Sequence, residues 1–113
     1  MSYVSGAVIP VKTADKEKFR KAAEAISAWF RENGATAVVD AWGVDVPDGK
    51  ATDFKRAVKA EADETIVFSW IVWPDKATGD AAMAKMRTDS RMSVVNMPGD
   101  MKRMIFGGFE PLY

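Results

Sequence analysis

The fold is decided by residues 64–74, which read ETIVFSWIVWP. Side chains of a β-strand alternate between two faces, and here both faces are apolar. One face would carry Ile66, Phe68, Trp70 and Val72, and the other Thr65, Val67, Ser69, Ile71 and Trp73. A half-buried strand would alternate apolar with charged residues, and no charge lies between Glu64 and Asp75. We therefore expect a central strand that is covered on both faces.

Three other stretches predict strands. Residues 3–11 are apolar and β-branched, and so are residues 36–46 and the final stretch 103–109, RMIFGGF. In the second of these, the small residues Ala37, Val39 and Ala41 suit a helix lying on them, and they leave Val38, Asp40 and Trp42 for the opposite face. The glycine pair in the last strand indicates a bulge or a close backbone contact.

Two stretches between the strands have the apolar spacing of helices. The first, capped by Thr13 or Asp15, carries one apolar stripe and ends at Asn33-Gly34, where glycine supplies a left-handed backbone. The second begins at Pro74-Asp75 and runs to about Asp89. Residues 47–63 form a long connection, which includes one or two helical turns after Thr52 or Asp53 and acts as a lid, a dimer contact or an ornament of the sheet edge.

The order of elements is β-α-β-β-α-β, which is that of an α+β ferredoxin-like fold. We expect one domain over residues 1–113, with a four-stranded antiparallel sheet and two helices on one face. The other face is then uncovered. Leaving its large side chains in water would forgo on the order of 10 kcal/mol, which equals the stability of a typical domain. The simplest cover is a second copy of the sheet, so we expect a homodimer joined through its sheet faces.

Three stretches together resemble the YbaA-like family of uncharacterised small bacterial proteins. They are VPDGK at 46–50, DETIVFSWIV at 63–72 and KRMIFGGF at 102–109. The resemblance extends over almost the whole chain. It implies a dimeric α/β barrel, in which two ferredoxin-like protomers pack face to face. It brings no activity and no catalytic residues. The wider superfamily includes cofactor-independent oxygenases and isomerases that act on aromatic or cyclic compounds.

A small-molecule site in the barrel or under the long connection is the first functional hypothesis. Asp40 is the candidate general base or polar anchor, because burial would raise the pKa of a carboxyl toward neutrality. Trp42, Phe68 and Trp70 are candidate stacking walls, and Arg103 would orient an anionic group. Because Asp40 and Arg103 are a lone acid and a lone base on apolar edge strands, we also expect them to pair between subunits. Whether the protein is an enzyme stays open.

Two other functions remain as alternatives. One is a non-catalytic structural or interaction module, with a barrel filled by its own aromatic side chains. The other, more remote, is RNA binding, since aromatic residues on a sheet can stack bases. Sixteen basic and sixteen acidic residues cancel, so the chain lacks the charge typical of a nucleic-acid binder.

The composition also limits cofactors and location. The chain has no Cys and no His, which removes thiolate chemistry, imidazole bases and the usual zinc and haem ligands. The acidic residues show no metal-binding spacing, so neither a metal nor another cofactor is expected. No secretory signal or membrane-spanning run is recognisable, and a cytoplasmic protein is the default expectation.

Overall fold

The computed structural model describes residues 2–113, and its centre is an antiparallel sheet of four strands in the order β2-β3-β1-β4. The strands are β1 (Tyr3–Lys12), β2 (Ala37–Trp42), β3 (Glu64–Trp73) and β4 (Ile105–Phe109). The apolar stretch of β3 is therefore an inner strand, as expected, and β1 is the other. β2 ends four residues before Val46, and β4 begins two residues after Arg103.

The helices are α1 (Lys16–Glu32), α2 (Phe54–Ala57), α3 (Lys76–Met86) and α4 (Ser90–Ser93). Three of them begin at an aspartate that accepts a backbone hydrogen bond, as at Asp75, which accepts from Thr78 N at 2.7 Å. The expected cap of α1 was wrong. Thr13–Asp15 instead form a 3₁₀ turn, and neither the Thr13 nor the Asp15 side chain caps the helix. Gly34 ends α1 with a φ of +107°, as predicted.

The helices α1 and α3 cover one face of the sheet, which carries the odd-numbered residues of β3. Val67 packs with Phe19 of α1, and Trp73 packs with Phe30 of α1 and Ala82 of α3. The even-numbered residues of β3 lie on the opposite face, which we call the open face. Ferredoxin-like architecture is thereby confirmed, with both long helices on one side.

The predicted parity of β2 was wrong. Asp40 pairs with Ser69 and Trp42 pairs with Val67, and residues paired across strands share a face. The larger residues Val38 and Trp42 therefore lie under the helices, packed in the core. The small set Ala37, Val39 and Ala41 lies on the open face. The larger side chains fill the space beneath α1, where the Trp42 and Phe19 rings lie 6.3 Å apart.

Trp73 is the largest fully buried side chain among the described residues. It is fully buried, and its ring meets Phe30 edge-on at 5.9 Å and 90°. Its Nε1 donates to Ser5 Oγ at 3.1 Å, so its one polar atom is satisfied. On the α3 side, a Cβ added to Gly79 would come within 3.0 Å of the indole Cδ1. A glycine at this position therefore lets α3 approach the ring closely.

The open face is covered by its own chain at one end only. Val58, which follows α2 in the long connection, is buried against Val8 and Ile66. Beyond this contact Phe68 remains 45% exposed and Phe109 60% exposed. Within one protomer, both faces of β3 are therefore covered only at the end beside the long connection. The rest of its open face is exposed.

Candidate functional site

The open face contains a groove of about 680 Å³, which we call the glycine groove. Its floor is the pair Gly6 and Gly107, which lie opposite each other on β1 and β4. On β3, Trp70 pairs with Gly6. The Trp70 indole and the two glycines therefore lie in one row across β3, β1 and β4. Neither glycine has a side chain of its own, so the groove is lined here by peptide groups and by the rings of Trp70 and Phe109.

Phe109 leans over this floor. A Cβ built on Gly6 or on Gly107 would lie 3.4 Å from a ring atom of Phe109, which is ordinary van der Waals contact. The next glycine, Gly108, faces the helix side. It has no room for a side chain, because the Tyr3 ring passes over it. The prediction of close contact at the glycine pair is confirmed, and β4 pairs with β1 in continuous register from Ile105 to Phe109.

An aromatic row leads from the glycine groove to the long connection. The rings of Trp70 and Phe68 lie 5.5 Å apart, and the Phe68 ring meets Phe54 of α2 edge-on at 6.0 Å. Asp53 fixes α2 by accepting from Arg56 N at 2.7 Å. The two locations expected for a ligand, in the barrel and under the long connection, therefore lie on the same face and adjoin.

Asp40 and Trp42 lie elsewhere. They line a second groove, of about 370 Å³, on the helix side between α1 and β2. Asp40 accepts from Ser69 Oγ at 2.6 Å and is exposed. The Trp42 ring lies 6.3 Å from that of Phe19, and its face takes the Lys16 ammonium at 5.8 Å. Asp40 and Trp42 therefore lie on the helix side of the sheet, and the other two candidates, Phe68 and Trp70, lie on the open face.

Arg103 belongs to neither groove. Its guanidinium makes four hydrogen bonds within its own chain, two of them to the Glu64 carboxylate at 2.7 and 2.6 Å. The others go to Asp100 Oδ2 and to the Lys59 carbonyl. The Glu64 side chain is only 3% exposed. Arg103 therefore joins the segment before β4 to the start of β3. Within one chain this role is structural, and the expected roles of orienting an anion and of pairing with Asp40 between subunits stay predictions.

The ion pair makes stability depend on pH. Hydrogen bonding from Arg103 holds the pKa of the Glu64 carboxyl below its usual range, against the effect of burial. A depressed pKa stabilises the fold above the unfolded value of about 4.3, and this contribution is lost as pH falls through the lower, folded value. We expect Glu64→Gln to lower the urea midpoint clearly at pH 7 and much less at pH 3.

The matched control is Glu61→Gln, which removes the exposed contact of Glu61 with Lys12 at 3.0 Å. Exposed pairs contribute little, so this midpoint should barely change at either pH. Equal losses for the two variants at pH 7 would contradict the assignment of Glu64 and Arg103 as a structural pair.

Sequence reasoning missed three members of the glycine groove. In the sequence, Gly6 and Phe109 are only parts of predicted strands, and Glu110 lies just beyond the last of them. Their signal is the antiparallel register, which places Gly6 opposite Gly107 and Val4 opposite Phe109. That register is set by the pairing of β4 with β1. It is therefore available only after the sheet has been assembled.

Residues 2–113 contain no cluster of three or more His, Cys, Asp or Glu residues that could hold a metal ion. No helix in the same range has the length and apolarity needed to cross a membrane.

Comparison with known proteins identifies the family. A family model described as "Protein of unknown function (DUF1428)" matches residues 2–106. The chain belongs to this family. It is 49% identical over 114 residues to the uncharacterised protein YbaA of Escherichia coli K12, covering 99% of this chain and 97% of that protein. The YbaA protein of Shigella flexneri matches to the same extent. The resemblance inferred from the three sequence stretches is confirmed.

Solved structures similar to this DUF1428 protein share its fold at low sequence identity. SnoaB, a cofactor-independent oxygenase from Streptomyces nogalater, superimposes with a TM-score of 0.65 at 13% identity, over 99% of this chain and 94% of SnoaB. A dimeric ferredoxin-like protein from an uncultured marine organism gives 0.57 at 12% identity, over 96% and 91% of the two chains. At such identities the likeness establishes the ferredoxin-like fold alone.

Proposed function

We propose that this DUF1428 protein is a homodimer whose open faces pack together, and that a small aromatic or cyclic molecule binds between them in the glycine groove. The observation that carries the proposal is the glycine floor beside an exposed aromatic row. Two sheets packed face to face lie about 10 Å apart, and positions without side chains leave space between them. A ring bound in this groove would have Trp70, Phe109 and the glycine backbone as its neighbours.

The dimer is supported by the energetics of the open face. Phe68, Ile105 and Phe109 are each about half exposed in one protomer, at 45, 44 and 60%. Covering each would gain about 1 kcal/mol, and a contiguous apolar patch typically marks an interaction site. A second copy offers an identical apolar surface around a two-fold axis. One structural neighbour is itself described as a dimeric ferredoxin-like protein.

The ligand is supported by the size and lining of the groove. Binding sites for small molecules are concave, mostly apolar and about 300–1,000 Å³ in volume, and the glycine groove measures about 680 Å³. Aromatic rings favour offset or edge-to-face contacts with other rings, and Trp70 and Phe109 provide them. SnoaB, a structural neighbour with the same fold, is named as a cofactor-independent oxygenase. The proposal for this chain concerns binding of a small molecule and not its enzymatic turnover.

Calorimetric titration with 2-naphthol tests the ligand site. We expect binding to the unmodified protein and about tenfold weaker binding to Gly107→Ala, because the added methyl occupies the floor. This substitution fits the fold, since the new Cβ would contact Phe109 at 3.4 Å, an ordinary distance. Asp40→Asn, in the helix-side groove, is the control and should bind as the unmodified protein does.

Other outcomes would select other functions. If Asp40→Asn weakens binding and Gly107→Ala does not, the ligand site lies in the helix-side groove. If the protein is a dimer and binds no aromatic probe, the alternative of a non-catalytic module with a filled barrel is favoured. RNA receives no support from the lining of the glycine groove, which includes neither Lys nor Arg among the described residues.

A further inference from the structure

We infer that Trp70 selects the ligand of the glycine groove: the bound molecule carries a hydrogen-bond acceptor on its ring, and the indole N–H of Trp70 donates to that acceptor. This inference rests on the proposed aromatic site and adds the class of its ligand. Trp70 lines the groove and pairs with Gly6 of β1. Its indole offers a donor as well as an apolar surface, because the ring nitrogen carries a hydrogen.

The indole N–H of Trp70 is accessible and has no hydrogen-bond partner within residues 2–113. Trp29, by contrast, donates to Asp89 at 2.8 Å. Trp73 donates to Ser5 at 3.1 Å. No side-chain nitrogen or oxygen of the described chain is both buried and without a hydrogen bond. Since Trp70 as a whole is half-buried, its unpaired nitrogen must belong to the part of the ring that solvent reaches.

The strands offer no acceptor for this hydrogen on the open face. By alternation, the other polar side chains that the four described strands place there are Lys12 and Glu64, at the far end of β1 and β3. They lie about 20 Å along the strands from Trp70. Both are already engaged, Lys12 by Asp63 and Glu64 by Arg103. The open face around Trp70 is therefore apolar apart from its own N–H.

Face-to-face packing makes this donor decisive. A second copy brings the same apolar set of strand side chains, so the N–H loses water and gains no acceptor from them. A desolvated donor without a partner is costly, and buried indole nitrogens usually have one. An acceptor on the ligand removes this cost and gives the bound ring one orientation. A carbonyl oxygen does so without bringing a charge into the groove, whose described lining includes neither Lys nor Arg.

Two probes of the same shape test the inference by calorimetry. They are 2-acetylnaphthalene, a ketone, and 2-isopropenylnaphthalene, an alkene in which a methylene group replaces the oxygen. Trp70→Phe keeps a ring at this position and removes the N–H. We expect it to weaken the ketone about tenfold more than the alkene, because only the ketone loses a hydrogen bond. Trp42→Phe makes the same exchange on the helix side and should leave the ratio of the two affinities unchanged.

The NMR signal of the indole proton gives a second readout in the unmodified protein. The signal that Trp70→Phe removes identifies the Trp70 proton. The naphthalene rings of the two probes affect it alike, so the difference between the probes reports the hydrogen bond. We expect the ketone to shift this signal farther downfield than the alkene does, and the signals of Trp29 and Trp73 to move little with either probe.

The outcomes separate the two proposals. If 2-naphthol binds and Gly107→Ala weakens it, but Trp70→Phe weakens the ketone and the alkene equally, the aromatic site stands and selection by Trp70 is wrong. The same conclusion follows if the two probes shift the Trp70 signal equally. If neither 2-naphthol nor the two probes bind, the aromatic site itself is overturned, and selection by Trp70 with it.

Discussion

The variant Phe68→Glu is expected to be a folded monomer. Phe68 is 45% exposed in one protomer, so a glutamate there can remain in water when the protein is alone. In a dimer joined through the open faces, the same glutamate would be buried between two apolar sheets. An uncompensated buried charge costs about 3–5 kcal/mol. Two-fold symmetry places the substitution in the interface twice, so dimerisation should weaken by at least about 10⁴-fold.

Sedimentation velocity at micromolar concentration measures the assembly, and circular dichroism confirms that the variant is folded. The control is Val94→Glu, which exchanges another exposed apolar residue, one that is 80% exposed, for the same charge. Val94 lies two residues after Met92, which packs with the core on the helix side. This variant should retain the assembly of the unmodified protein. A folded Phe68→Glu protein that still sediments as a dimer would place the interface elsewhere.

The second large effect is expected for Trp73→Ala. Trp73 has no exposed surface, packs edge-on against Phe30 and closely approaches Gly79. Removing a large buried aromatic side chain typically costs about 3–5 kcal/mol, because the cavity collapses only in part. The substitution also removes the hydrogen bond that Trp73 Nε1 donates to Ser5 Oγ at 3.1 Å. The free energy of unfolding should therefore decrease by about 4 kcal/mol.

Urea unfolding, with all variants compared at one protein concentration, measures this change, because the stability of a dimer depends on concentration. Val94→Ala removes apolar atoms from an exposed site and should change the free energy of unfolding by less than about 0.5 kcal/mol. A loss below about 1 kcal/mol for Trp73→Ala would contradict the central place given to Trp73 in the core.

Most of the fold was predictable from the sequence, because it depends on local patterns. The uncharged run in β3, the apolar stripe of α1 and the left-handed position of Gly34 each depend on near neighbours in the chain. Together they give the order of elements, and the order gives the ferredoxin-like arrangement. The parity of β2 was not predictable in this way. Alternation separates its residues into two sets, and which set is buried depends on contacts with α1 that are distant in sequence, such as that of Trp42 with Phe19.

The sequence predicted some residues of the candidate site, but it did not predict which face of the sheet each residue lies on. Phe68 and Trp70 do lie on the open face beside the glycine groove. Asp40 and Trp42, which have the same chemical character, lie across the sheet from them. Arg103 was mistaken for a free base because its partner Glu64 is 39 residues away in sequence. Contacts at such separations depend on the assembled sheet, and the sequence alone carries no local signal for them.

The central claim is that the open face is an interface between two copies of the chain. Sedimentation equilibrium of the unmodified protein at low micromolar concentration tests it most directly. We predict a species of about twice the monomer mass of 12.4 kDa. A single species at the monomer mass, with the apolar open face exposed to water, would contradict the claim.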